Sequence, residues 1–201
     1  MKINKLKFFL CMLFVTLLMD LLPSVGFISI GSISITMMHL PTILTAIFAG
    51  TGYGMIMGCS FGIISQMHAL ARDVGTLDIF LKNPIVSVLP RIMVAVVASL
   101  TIIALKKIFK GKYMPFCAGI AGLLGSITNT CLVFVSLSLV YLDEMLELFE
   151  ISTLAELRTA IFGIIKINGT IEAVVGMIIC SVFTFAFRKL HKTKGMDFIS
   201  A

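Results

Sequence analysis

Apolar residues in this chain fall into long runs divided by short polar breaks. Phe8 to Leu22 is apolar apart from Asp20 near its far end; it follows Lys2, Lys5 and Lys7 and is closed by Pro23. Gly26 to Met37 has a different rhythm, with Phe27, Ile28, Ser29, Ile30 and then Ile33, Ser34, Ile35 giving a period of two. That period predicts a short strand or extended loop. Open backbone groups cannot face lipid, so the segment is expected at a surface, as a cap over a cavity. The remaining runs predict helices, and the full set of expected spans is 8–22, 37–50, 53–68, 84–109, 115–141 and 158–187. A helix needs roughly 20 apolar residues to cross the hydrocarbon core.

Punctuation within the runs adds detail. Gly50, Gly54, Gly58 and Gly62 recur every four residues, which puts them on one helical face where a neighbouring backbone can come close. Ala118/Gly122 and Ala121/Gly125 repeat the signature in the fifth span. Pro84 suits a first helical turn. Pro90 predicts a kink that frees a backbone carbonyl just before Arg91. Asp143 to Glu156 is acidic and predicts a short surface helix. The first run is read as a retained helix, since no clear small-x-small cleavage pattern follows it.

Composition confirms the class that the runs suggest. Of 201 residues, 59% are hydrophobic and 13% charged, with mean hydropathy +1.10, against about half apolar and a quarter charged in a soluble domain. The expectation is an all-α, six-helix membrane bundle with a loop cap, one integral domain over residues 1–201. The net charge of +6 does not suggest nucleic acid, because the lysines sit at the ends of apolar runs. Lys2, Lys5, Lys7, Lys106, Lys107, Lys110, Lys112, Arg188, Lys189, Lys192 and Lys194 collect on one side of six spans, whereas the other side has Arg72, Lys82, Arg158 and nearly all the acids. The excess of basic residues places both termini in the cytoplasm. Cys11, Cys59, Cys117, Cys131 and Cys180 lie in apolar stretches without a CxxC pair, which predicts free thiols. No paired catalytic carboxylates, nucleophile motif, metal spacing or Walker loop is present, so neither an enzyme nor an ATPase is expected, and no cofactor.

The candidate chemistry is polar residues set into apolar runs. Arg91 lies early in the fourth span, where an ionisable side chain reads as functional by default. Asn129 is near the middle of the fifth span. Lys166, Asn168 and Glu172 are early in the sixth. His39, Gln66 and Asn83 stand at the same outer level, as does His68. Buried polar groups need partners, from each other or from a ligand, and this convergence predicts an outward-opening pocket. Structural readings stand beside the functional ones: an Arg91–Glu172 ion pair, an Asn129 bridge between helices, a Lys166 that snorkels outward, and histidines serving as interfacial hydrogen bonders. Asn168-Gly169-Thr170 matches a glycosylation sequon but lies within an apolar span.

Met38-His39-Leu40-Pro41-Thr42-Ile43-Leu44, the glycine-rich Gly50–Gly62 stretch, Val88-Leu89-Pro90-Arg91-Ile92, Gly125-Ser126-Ile127-Thr128-Asn129-Thr130 and Asn168-Gly169-Thr170-Ile171-Glu172-Ala173 together resemble, in that order, the substrate-binding (S) components of energy-coupling factor transporters. The resemblance covers almost the whole chain and is strongest to pantothenate-type members, through the Pro-Arg and Thr-Asn-Thr segments. It implies six helices, a bacterial cell membrane, a water-soluble vitamin captured on the outer face, a transmembrane coupling (T) component and two cytoplasmic ATPases. Folate, cobalamin or another vitamin is the alternative substrate, and a stand-alone proton-coupled carrier using Glu172 the alternative mechanism. For pantothenate, Arg91 would hold the carboxylate, Asn129 and Asn168 its amide or hydroxyls, and Ile30–Ile35 would cover its dimethyl portion. The first helix departs from the family pattern, since Phe8 to Thr16 holds no alanine where S components often carry an alanine pair for docking. Gly54/Gly58 and Ala95/Ser99 are the substitute faces.

Overall fold

The computed structural model describes residues 4–22, 26–30, 33–71 and 78–192. Lys2, Arg72, Asp73 and Lys194 lie outside the described residues, as do the side chains expected to cover a ligand between Ile30 and Ile35. Helix α1 (Lys5–Leu21) is capped by Asn4, whose side chain accepts from the Lys7 amide at 3.1 Å. Strands β1 (Phe27–Ile30) and β2 (Ile33–Thr36) then pair antiparallel, Phe27 opposite Thr36 and Ile30 opposite Ile33. The isoleucine–serine alternation thus satisfies its backbone groups within a hairpin, as an extended segment at a membrane surface must.

Helix α2 (Leu40–Ala49) has ten residues, about 15 Å at 1.5 Å per residue, half the hydrocarbon thickness rather than the full second span that the sequence suggests. All ten are buried, because α2 packs against α1, against α3 (Thr51–Ala71), and against the three long helices that follow. Gly50 between α2 and α3 has φ 95°. It makes the turn and does not share the packing role of the other three glycines. A side chain at Gly54 would enter Ala46, and one at Gly58 or Gly62 would enter the backbone of Arg91 or Ser87–Val88. These glycines therefore hold α3 against α2 and against the start of the fourth span.

That span is broken. Helix α4 (Pro84–Ser87) and helix α5 (Leu89–Ile108) meet at Val88. Helix α6 (Met114–Val140) follows a loop in which Lys110 and Gly111 take positive φ. The acidic segment forms α7 (Leu142–Leu148), pinned by the fully buried Met145. Helix α8 (Leu154–Ile164) opens earlier than the sequence reading, on a capping box that the Thr153-x-x-Glu156 spacing encodes: the Glu156 amide donates to Thr153 and the Glu156 carboxylate accepts from the Thr153 amide. A π-helical segment (Ile165–Gly169) joins it to α9 (Thr170–Lys192). Thr51–Ala71, Pro84–Ile108, Met114–Val140 and Leu154–Leu190 are each long and apolar enough to cross a membrane.

Among the described residues helices α6 and α9 share the most extensive interface, and Gly122 of α6 lies against the Gly176 backbone of α9. Both small-residue faces offered as substitutes for docking are interior: Gly54 and Gly58 meet chain backbone and side chain, while Ala95 and Ser99 are 0% and 1% exposed. The chain's own helices already occupy them. At the end where the lysines gather, Phe8, Phe48, Phe183 and Phe187 form one aromatic cluster. At the other end the helices part around a cavity.

Candidate functional site: a buried arginine in a small cavity

Pro90 has no N–H, so the carbonyl four residues earlier, that of Val86, loses its helical donor. The Arg91 guanidinium takes it, Nη1 donating to Val86 O at 2.8 Å. This fixes the side chain, with Cζ 5.4 Å from the centroid of the Phe61 ring, a cation–π contact. Arg91 is 6% exposed, and its Nε is buried without a partner. Among the described residues no carboxylate lies within ion-pair distance of it, so the structural Arg91–Glu172 pair weighed from the sequence does not form. A guanidinium held this far from water needs compensation.

The Glu172 carboxylate is engaged elsewhere. Oε2 accepts from the Thr130 hydroxyl at 2.6 Å and Oε1 from the Thr36 amide at 2.8 Å. These charge-assisted bonds tie α9, α6 and the end of β2 together. Asn129, one residue from Thr130, is 6% exposed and has a buried Oδ1 without a partner.

The π segment matters for alignment. Eight residues of ordinary α-helix would leave Glu172 about 80° around from Ile164. Five residues in the wider i→i+5 form, about 4.4 per turn, bring Glu172 back to within about 10° of Ile164, with Asn168 about 30° to one side. All three line the cavity.

That cavity has a volume of about 280 Å³. Arg91, Asn129, Thr130, Asn168, Glu172 and Ser65 supply its polar wall, and Thr36 and Met38 stand at the hairpin side. Phe61, Leu81, Val133, Phe134, Leu137 and Ile164 make the apolar remainder. An apolar enclosure with a few convergent polar groups is the usual form of a small-molecule site. A cation with no carboxylate beside it among the described residues and a buried Nε without a partner, next to an amide oxygen without a donor, suit a ligand carrying a carboxylate and a hydrogen-bond donor.

The structure thus brings together four of the residues singled out from the sequence: Arg91, Asn129, Asn168 and Glu172. It separates the other four from them. His39 is 1% exposed and bonds Ser126 across the α2–α6 interface at 2.8 Å. Because the Ser126 hydroxyl donates to Gly122 O, Nε2 of His39 carries the proton that Ser126 accepts. Gln66 donates to Lys82 O at 2.7 Å and anchors the 3-10 turn Asp78–Lys82. On α3 the cavity sees Phe61 and Ser65, four apart, and Gln66 is one step round the helix. Asn83 caps α4, accepting from the Ile85 amide. Lys166 is exposed, two residues from Asn168 and so across the helix from it. His68 pairs with Asp20 at 2.9 Å and joins α3 to α1.

Sequence reasoning missed the apolar wall. Val133 and Leu137 follow Asn129 at four-residue steps, and Phe134 follows Thr130 likewise; that spacing was the available signal. Phe61 and Ser65 gave none, standing beside glycines that read as packing.

Comparison with known proteins supplies the family. The family described as "ECF transporter, substrate-specific component" matches residues 10–186. Among curated proteins, the chain is similar to the pantothenate transporter PanT of Leuconostoc mesenteroides subsp. mesenteroides, 25% identical over 186 residues that cover 88% of this chain and 89% of that one.

Proposed function

The chain belongs to the substrate-specific components of ECF transporters, and from that premise we propose that it captures pantothenate in the Arg91 cavity. Proteins of this family are multi-pass membrane subunits that bind a vitamin and are not enzymes. The observation that carries the ligand assignment is the buried Arg91 guanidinium, which has no carboxylate partner among the described residues and stands in a small cavity beside an unpartnered Asn129 oxygen. A single anionic head, an amide or hydroxyl donor and a compact apolar body fit such a wall. The volume, about 280 Å³, is at the lower end for ligand pockets, about 300–1,000 Å³, which favours a small acid over folate or cobalamin. The name of the similar protein points to the same vitamin.

In this reading Arg91 binds the carboxylate, Asn129 Oδ1 accepts from an amide or hydroxyl of the ligand, and Asn168 bonds a second polar group. Phe61, Val133, Phe134 and Leu137 cover the dimethyl portion. The chain crosses the membrane six times, counting α1 and the half-length α2, with both termini in the cytoplasm and the cavity outside. The coupling component and two cytoplasmic ATPases drive release. A proton-coupled carrier built on Glu172 is disfavoured, because both carboxylate oxygens already hold structural donors.

Isothermal titration of the purified protein with pantothenate tests the reading. Arg91→Ala is expected to abolish tight binding with the fold retained, a loss of about 3 kcal/mol or more, since a charged hydrogen-bonded anchor disappears. Unchanged affinity removes Arg91 from the site, and binding of folate in preference to pantothenate overturns the substrate.

A further inference from the structure

The Arg91 cavity has one charged wall group that the capture of a carboxylate does not use. Glu172 lines it, and so do Thr36 and Thr130, the two residues that hold the Glu172 carboxylate. Suspended between two wall residues, that carboxylate belongs to the wall itself. Among the described residues lining the cavity, Arg91 is the one cation and Glu172 the one anion. The two are not paired with each other.

Both contacts fix Glu172 as an acceptor. The Thr36 amide can only donate, and it reaches Oε1 at 2.8 Å. The Thr130 hydroxyl reaches Oε2 at 2.6 Å, the length of an O–H···O⁻ bond. An ionised carboxylate has about four acceptor positions, so one donor on each oxygen leaves each with room for another. Those positions are left for whatever enters the cavity. The remaining polar wall groups, Ser65, Asn129 and Asn168, are neutral. Lys166 stands close in sequence but is exposed, across the helix from Asn168. A ligand that fills about 280 Å³ meets this whole wall at once. Arg91 satisfies one anionic head; a second would find a fixed carboxylate and no second cation.

Resting on the pantothenate reading above, we propose that Glu172 sets the charge the site accepts. Its carboxylate takes a hydrogen bond from the hydroxyl at the end of the ligand remote from Arg91, and it turns away compounds with a second anionic group there. A hydroxyl in that place offers a proton to the carboxylate. A carboxylate or phosphate in the same place sets like charge against like, in an enclosure where water screens little. The site therefore takes monocarboxylates with a distal hydroxyl and refuses dicarboxylates and phosphate monoesters built on the same frame. Glutamine at 172 would keep the shape and remove the charge. Its amide oxygen can accept from Thr36 and its NH₂ donate to Thr130, whose hydroxyl has Ser126 O at 3.3 Å as another acceptor. The ties to β2 and α6 are therefore retained.

Titration calorimetry of the purified full chain with three compounds of nearly equal size tests the proposal. They are pantothenate, the diacid in which its primary hydroxyl is oxidised to a carboxylate, and the deoxy compound with a methyl group in that place. The unaltered chain is expected to bind the diacid about a hundredfold or more weaker than pantothenate, the cost of a like charge in an enclosed site. The deoxy compound should bind about tenfold weaker, for one lost hydrogen bond to a charged acceptor. In Glu172→Gln, with folding checked by a melting curve, the gap between pantothenate and the diacid should close to about tenfold or less. Equal binding of pantothenate and diacid by the unaltered chain overturns the proposal and leaves the pantothenate reading standing, and this comparison needs no variant. A gap that persists in folded Glu172→Gln also overturns it, since the exclusion then lies elsewhere. Full affinity for the deoxy compound removes the hydroxyl contact. If pantothenate itself does not bind, the reading of the ligand falls and this proposal falls with it.

Discussion

Replacing Pro90 with alanine should weaken ligand binding without weakening the protein. Pro90 contributes an absence: with no N–H at position 90, Val86 O is left for Arg91 Nη1 at 2.8 Å. The backbone here is already close to helical, with Val88 N–H bonded to Pro84 O and Ile92 N–H to Val88 O. Alanine at 90 would direct a new amide at Val86 O, in direct competition with the guanidinium. A backbone bond that completes a helix stabilises by about 0.5–1.5 kcal/mol, while the bond to a charged donor is worth about 1.5–3 kcal/mol. The side chain that loses its anchor can swing within the cavity, and the ligand must then order it. The expected loss of affinity is therefore about ten- to hundredfold at 1.4 kcal/mol per decade, with thermal stability equal or higher. Titration calorimetry and a melting curve on the same preparation read the two quantities separately. Full affinity in Pro90→Ala would show that the freed carbonyl does not position Arg91, and lost stability together with lost affinity would show that the proline is needed for the fold.

Two further outcomes follow from other contacts. Glu172→Ala removes the acceptor for both the Thr36 amide and the Thr130 hydroxyl; faster ligand dissociation and faster hydrogen exchange in β2 are expected, the latter because the strand loses its tie to α9, and an unchanged exchange rate would contradict the tie. Gly122→Leu forces α6 off the Gly176 backbone and should destabilise by about 1–3 kcal/mol, read as a lower melting temperature with Arg91 untouched.

Much of this architecture was legible because the signals were physical and local. Long uncharged runs gave the four long helices, the isoleucine–serine alternation gave an extended segment that folds as a hairpin, and glycines at four-residue steps gave a close helix contact, which is that of α3 with α2 and with the start of the fourth span. Arg91, Asn129, Asn168 and Glu172 stood out because polar groups in apolar helices need an explanation. The same test also picked up His39, Gln66 and Asn83, which satisfy Ser126, Lys82 O and the Ile85 amide. A sequence shows that a polar group needs a partner, not whether that partner belongs to the chain. Glu172 shows this from inside the cavity, since its partners lie 42 and 136 positions away. The π segment at Ile165–Gly169 has no composition of its own that would mark it in a sequence. The capping box at Thr153 and Glu156 is local and legible in the sequence, and it starts the helix at Leu154, ahead of the apolar run that begins near Arg158.

The short helix α2 has a consequence for traffic. Ile43, Ala46 and Ile47 are 0–4% exposed, and with their neighbours they form a packed post between the Arg91 cavity and the lysine end. On the proposed function, a ligand taken up beside the hairpin would meet this post below it, so delivery across the bilayer would call for the doorway itself to change sides.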